Sequence, residues 1–130
     1  MTLGLEHHGL MDRAESVALL NRRRDAWLNR DLDSYLSLFA EDFVFYAGGV
    51  EQTRGRAALA EAVRRNYEQF NPIGWDLHEI AVNGQNVSAK WTVTWEEKAS
   101  GARRSIRAMF ICEIRNGLAT WGREYRVPAG

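Results

Sequence analysis

Two charged side chains lie in the middle of otherwise apolar patterns, which makes them the first candidates for chemistry. Glu124 lies in the strand-like stretch TWGREYRV, and Arg24 is near the centre of an apolar helical stripe. Because a buried charge is costly unless it is paired, we expect the two side chains to contact each other or a polar ligand. Glu124 would then act as a general base or hydrogen-bond acceptor, or it would only form a structural ion pair between helix and strand.

A histidine and a cysteine are weaker candidates. His78 lies on a predicted strand and could serve as a base, but a histidine in such a position is more often a surface residue. Cys112 has no neighbouring base in the sequence, so we expect an unreactive core thiol. The pair His7 and His8 lacks a third ligand at a useful spacing, and AGGVEQTRG does not have the glycine spacing of a phosphate-binding loop. The sequence therefore predicts neither a metal site nor a cofactor.

The composition limits the partners and the setting of the protein. The chain has 130 residues, with 17 Lys and Arg against 17 Asp and Glu, so no net charge attracts nucleic acid or an anionic membrane. Its one cysteine forms no internal disulfide, and no apolar run approaches the roughly 20 residues of a membrane span. We expect one cytoplasmic domain over residues 12–130, preceded by a tail over residues 1–11.

Helical spacing predicts three helices in the first part of the chain. The first covers 13–29, with Asp12 near its start, and its apolar face is made by Val17, Leu20, Arg24, Trp27 and Leu28. A second helix covers 32–40, and a third covers 56–70 and ends at Asn71-Pro72.

β-Branched and aromatic residues predict strands in the rest of the chain. The stretch DFVFYAGG, residues 42–49, is typical of one strand that leads into a turn. Four more strands, at 74–83, 86–98, 103–115 and 118–127, are separated by the Asn-Gly and Ser-Gly pairs of hairpin turns. Helices followed by an antiparallel meander predict an α+β fold.

The order of these elements, together with NRDLDSYLSLFAEDFVF, RGRAALAEAVRR and RNGLATWGREY, resembles the NTF2-like superfamily. Within it, the SnoaL-like and ketosteroid-isomerase-like proteins are the most similar, over about residues 13–127. The resemblance implies a sheet that curves around the helices into a cone and admits a small, mostly apolar molecule. It also implies a homodimer through the outer sheet face, where Met109 and Ile111 would otherwise expose apolar surface.

Three enzyme patterns of this superfamily can be compared with the chain. The catalytic positions of ketosteroid isomerases correspond to Ala47, Arg24 and Phe110. The polar positions of limonene-epoxide hydrolases correspond to Phe45, Ala47, Trp91, Val93 and Glu124. Among these, Glu124 alone remains to orient a hydrolytic water. The histidine of scytalone-dehydratase-like lyases corresponds to His78, but no acid of the first helix matches, since Asp25 points away from the apolar helix face.

Alternation along the strands predicts an apolar and aromatic wall that suits a flat hydrophobic ligand, because residues two apart share a face. The predicted ligand-binding residues are Phe45, Ala47, Trp75, Trp91, Val93, Trp95, Phe110 and Cys112, with Tyr35 as a candidate donor from a helix. The same side chains could instead fill the core. Two functions follow: a cofactor-independent isomerase, cyclase or lyase acting on a small molecule, or a non-catalytic ligand-binding or accessory protein.

Overall fold

The computed structural model describes residues 13–127 of the chain. Its helices are α1 (Arg13–Leu28), α2 (Leu32–Leu36) and α3 (Arg56–Gln69). Its strands are β1 (Phe39–Ala47), β2 (Val50–Arg54), β3 (Phe70–Asn83), β4 (Asn86–Glu97), β5 (Arg103–Arg115) and β6 (Leu118–Val127). The predicted tail, with His7 and His8, lies outside the described residues. None of the helices in the described part is long and apolar enough to cross a membrane.

The six strands form one curved, open sheet in the order β2-β1-β6-β5-β4-β3. The pairing of β1 with β6 is parallel, and the other four pairings are antiparallel. Strands β3 to β6 are therefore the predicted meander, and β6 returns to lie beside the first strand. This arrangement confirms the predicted α+β fold.

Two boundaries in the first half differ from the prediction. Helix α2 ends at Leu36 rather than at residue 40, because the chain turns there and enters β1 at Phe39. The backbone N–H of Ala119 on β6 donates to the carbonyl of Leu38 at 3.0 Å, which fixes the start of that strand. Strand β2 was not predicted, and it pairs with the end of β1 across a turn at Gly48 and Gly49, both at positive φ.

Strand β3 begins four residues earlier than predicted, at Phe70, directly after α3. Pro72 lies inside it although proline cannot donate to a sheet ladder. The strand tolerates this residue because it is at the edge of the sheet and its register with β4 shifts between Pro72 and Gly74. The early start of β3 places Phe70 and Pro72 beside the helices, where both line the cavity described below.

The face that α1 buries is rotated from the predicted one. The buried residues are Ser16, Leu19, Leu20, Arg23 and Ala26. Of these, Leu20 also belongs to the predicted face, whereas the predicted Arg24 is not on the buried face. The prediction failed because it placed the largest side chains inward. Instead Trp27 and Leu28 are partly buried at the border of the core, and the centre of the face is an arginine surrounded by aromatic rings.

Two clusters of buried side chains fill the fold. One joins Leu19 and Leu20 of α1 to the concave face of β3, β4 and β5. The other joins α2, α3 and β1 through residues such as Phe39, Phe43 and Val63. Trp27 and Phe45 pack against both clusters. The space between the sheet and the helices is only partly filled, and it leaves a cavity.

Candidate functional site

A cavity of about 640 Å³ lies between the concave face of the sheet and helix α3. Its sheet wall is aromatic and aliphatic, with Phe45, Trp75, Trp91, Val93, Trp95 and Ile106. Its opposite wall comes from α3, mainly from Leu59, Ala62, Val63 and Tyr67. Helices α1 and α2 contribute Arg23, Trp27 and Tyr35. The aromatic side chains of the sheet thus leave space between the sheet and α3.

Seven of the nine predicted ligand-binding residues line this cavity: Tyr35, Phe45, Ala47, Trp75, Trp91, Val93 and Trp95. Phe110 and Cys112 do not line it, because both are fully buried in the core cluster between α1 and the concave face of the sheet. Phe110 stacks on Trp91, with ring centroids 4.7 Å apart, and so supports one ring of the cavity wall. Burial raises the pKa of the Cys112 thiol to about 11, which leaves it protonated and unreactive at neutral pH.

Arg24, the predicted partner of Glu124, lies away from the cavity. Its Nε donates to the Oδ1 of Asp25 at 2.9 Å, and its side chain is about one-third exposed. The predicted ion pair between Arg24 and Glu124 is wrong. The reason is the rotation of α1, which turns the neighbouring Arg23 inward and leaves Arg24 on the solvent side.

Arg23 lines the cavity from α1 and is 8% exposed. Its guanidinium carbon lies 4.5–5.8 Å from the centroids of five rings, those of Tyr35, Phe39, Trp75, Trp91 and Phe110. Such contacts are attractive because the ring faces carry negative partial charge, and each is worth about 0.5–2 kcal/mol. No ion pair joins Arg23 to a carboxylate of residues 13–127.

Glu124 lines the cavity from β6, with a side chain that is 13% exposed. It faces inward because it shares a face of β6 with Gly122 and is paired with the inward-facing Phe110 of β5. Its ionic partner is Arg126, whose Nε is 3.6 Å from Oε1, a long contact that leaves the carboxylate accessible. The inward orientation of Glu124 was predicted correctly, and its partner was not.

His78 lies on the opposite side of the sheet from the cavity. It is exposed, and its Nε2 is 2.7 Å from the hydroxyl oxygen of Thr92. The register of β3 with β4 shifts between Leu77 and Glu79, so His78 is at an irregular position of the strand. The geometry gives it no contact with the cavity wall, and its predicted role as a base has no support there.

Helix α3 supplies the part of the wall that the sequence analysis missed. Leu59, Val63 and Tyr67 lie on the apolar stripe of the predicted third helix, but none of them was among the predicted ligand-binding residues. The Tyr67 hydroxyl donates to the carbonyl of Trp27 at 3.0 Å, and its burial raises the pKa of the phenol to about 12. This hydrogen bond joins α3 to the end of α1 across the cavity.

Within the described range, no three of the His, Cys, Asp and Glu side chains are grouped closely enough to hold a metal ion. The polar residues of the cavity lining include Arg23 in its aromatic cage, the carboxylate of Glu124, and Gln52, Thr53 and Asn66. This set can bind an oxygen acceptor and accept a proton.

The fold is shared with solved structures of low sequence identity. A putative isomerase from Bacillus subtilis is 18% identical with a TM-score of 0.80, and 91% of each chain is covered. An LEH-like epoxide hydrolase from M. tuberculosis is 21% identical with a TM-score of 0.77, over 88% of this chain and 84% of that one. A putative polyketide cyclase from Xanthomonas campestris is 22% identical with a TM-score of 0.73, over 87% and 90%.

The TM-scores establish a common fold, and identities this low do not establish a common activity. No curated protein sequence matches the chain. The sequence profile of the SnoaL-like domain, however, matches residues 20–121, which include most of α1 and all the elements up to the first part of β6. On this evidence, and with the cone-like fold described above, the chain belongs to the SnoaL-like domain family of the NTF2-like superfamily.

Proposed function

We propose that the protein binds a small, flat and largely apolar molecule in its cavity and rearranges it without a cofactor, as an isomerase, cyclase or lyase. The observation that carries the proposal is the aromatic cavity with Glu124 at its edge. Its volume of about 640 Å³ is within the range of small-molecule pockets. The structural neighbours named as a putative isomerase and a putative polyketide cyclase agree with this class of reaction.

Glu124 is the group best suited to act as the base. The other carboxylate of the cavity lining, Glu61, is more than half exposed and pairs with both Arg64 and Arg65. Glu124 is better shielded and has one long contact with Arg126. A ligand seated against the tryptophans could present a C–H bond next to a carbonyl to this carboxylate, which would take the proton and return it to another carbon.

A non-catalytic binding protein is the second candidate. It is favoured by the apolar side chains at Phe45, Ala47, Trp91 and Val93, where related enzymes have polar groups. Both candidates require the same cavity, and they differ in whether Glu124 moves a proton.

Exchange of the ligand's C–H protons with D₂O distinguishes the two candidate functions. We expect 2-tetralone, a flat ketone with acidic C–H groups, to stabilise the protein in a thermal-shift assay and to exchange those protons faster in D₂O when the protein is present. Glu124→Gln should keep binding within about twofold and slow the exchange at least about 100-fold, because a general base contributes roughly 10²–10⁴ in rate. Glu61→Gln, at the paired carboxylate, should exchange like the native protein. Binding without catalysed exchange would favour the non-catalytic function.

We also propose that the protein is a homodimer through the outer face of β5 and β6. Met109 and Tyr125 are opposite each other in the register, about half exposed, and continue into Ile111 and Val127 on the same face. An apolar strip on a sheet face is commonly covered by a second copy of the chain. Equilibrium sedimentation should show a dimer at tens of micromolar, and Met109→Glu should give a folded monomer. A native monomer at that concentration would refute the dimer.

A further inference from the structure

Among the residues that the structure describes, Arg23 is the one charged residue of the cavity lining without an ion-pair partner. The lining residues include five charged side chains within the described chain: Arg23, Glu61, Arg65, Glu124 and Arg126. Glu61 pairs with Arg65 at 3.4 Å, and Glu124 pairs with Arg126 at 3.6 Å. These two pairs are neutral, so the described lining retains one positive charge, and the residue that carries it is buried.

The surroundings of Arg23 satisfy its charge only in part. The five ring faces attract the cation but accept few of its N–H hydrogens, and its Nε is buried without a hydrogen-bond partner among the described residues. The indole N–H groups of Trp75 and Trp91, whose rings face Arg23, are likewise buried without an acceptor in the described part of the chain. Unsatisfied buried donors are uncommon in folded proteins because each one costs free energy. The surroundings of Arg23 therefore contain unsatisfied donors and no carboxylate among residues 13–127.

We propose that Arg23 binds the carboxylate of a flat aromatic acid whose ring lies between the tryptophans of the sheet wall and helix α3. The planar guanidinium presents paired N–H groups that match the two oxygens of a carboxylate. The rings around Arg23 exclude water, which strengthens the attraction between the two charges. This inference rests on the proposed ligand-binding function and adds the chemical class of the ligand.

Glu124 and Arg23 both line the cavity but differ in their surroundings. The carboxylate of Glu124 lies 3.6 Å from Arg126, whereas the guanidinium of Arg23 has no ion-pair partner among residues 13–127 and is surrounded by five rings. A carboxylate ligand would therefore be attracted to Arg23, and Glu124 would contact another part of the same ligand.

The test compares two ligands of the same shape, 2-naphthoate and its neutral amide 2-naphthamide, by isothermal titration calorimetry at pH 7. The native protein should bind the carboxylate at least about tenfold more tightly, since a hydrogen bond to a charged group exceeds a neutral one by about that factor. Arg23→Met should abolish this preference while keeping the affinity for the amide. Arg24→Met, at the neighbouring exposed arginine, is the matched control and should keep the preference.

Equal affinities of the native protein for the two naphthalenes, or a preference that survives in Arg23→Met, would overturn the inference. If Arg23→Met does not fold, the inference is tested with the native protein and Arg23→Lys. Lysine keeps the positive charge but loses the paired N–H donors, so Arg23→Lys should reduce the preference for 2-naphthoate over 2-naphthamide. A protein that binds 2-tetralone but neither naphthalene keeps the proposed function and loses the assigned ligand class. A protein that binds none of the three refutes both.

Discussion

Trp91→Ala is expected to lower the free energy of unfolding by about 3–5 kcal/mol, the usual loss when a buried large aromatic is truncated. Trp91 is 1% exposed and lies at the centre of the sheet wall. It stacks on Phe110 with centroids 4.7 Å apart and meets Trp75 edge-on at 4.9 Å. Truncation would remove both ring contacts and one ring from the cage of Arg23. Urea denaturation followed by circular dichroism measures the loss.

Two further variants serve as controls. Trp91→Phe shows whether the ring or the indole N–H provides the stability, and Trp121→Ala shows the effect of truncating a less buried tryptophan. Trp91→Phe keeps an aromatic ring in the stack and removes an N–H that has no acceptor in the described chain, so it should cost less than about 1.5 kcal/mol. Trp121→Ala removes a partly exposed tryptophan that packs on Arg123, and it should cost no more than about 1 kcal/mol. Similar losses for all three would contradict a central role for Trp91.

Gly122→Ala is expected to destabilise the fold by about 1–3 kcal/mol through overpacking. A Cβ at this position would be 2.7 Å from Cζ of Phe110 and 3.3 Å from Cζ of Phe43. Both rings are fully buried, so neither can move without disturbing its neighbours. The backbone of Gly122 has no positive φ, and the penalty is therefore steric rather than conformational. Thermal unfolding measures it.

Gly74→Ala is the matched control for this substitution. Gly74 is also in a strand and has no positive φ, but a Cβ there would meet no atom within 4 Å. It should leave stability unchanged or raise it slightly, because alanine reduces the entropy of the unfolded chain. A loss at Gly74 as large as that at Gly122 would show that strand glycines matter here for a reason other than ring packing.

Strand periodicity predicted the sheet wall more accurately than helical periodicity predicted the helix face. Alternate residues of a strand must face opposite sides, so one buried tryptophan fixes the orientation of Trp91, Val93 and Trp95 together. In α1 the apolar residues do not form one narrow stripe, and two faces about one residue apart are nearly equal in apolar content. Tertiary packing selected the face with Arg23, and that choice depends on aromatic residues distant in sequence.

The helical side of the cavity and its size could not be predicted, because they depend on how far α3 stands from the sheet. The stripe of Leu59, Val63 and Tyr67 is the same whether the helix packs tightly or leaves a space. The hydrogen bond from Tyr67 to the carbonyl of Trp27 and the contacts of Arg30 with the end of α3 set this distance. They are long-range contacts to backbone carbonyls, which leave little signal in a single sequence.

The parallel pairing of β1 with β6 has a consequence for the order of folding. Phe39 pairs with Ala119 and Ala47 with Glu124, so the two strands meet only after a long loop closes. Closing such a loop lowers the entropy of the chain before the contacts between the strands stabilise it. Folds that are rich in contacts between residues distant in sequence therefore form slowly. During synthesis on the ribosome, the edge of β1 that pairs with β6 would stay unpaired until β6 emerges. The residues Phe39, Phe43 and Val44 of β1, which are buried in the folded protein, would remain accessible to chaperones until then.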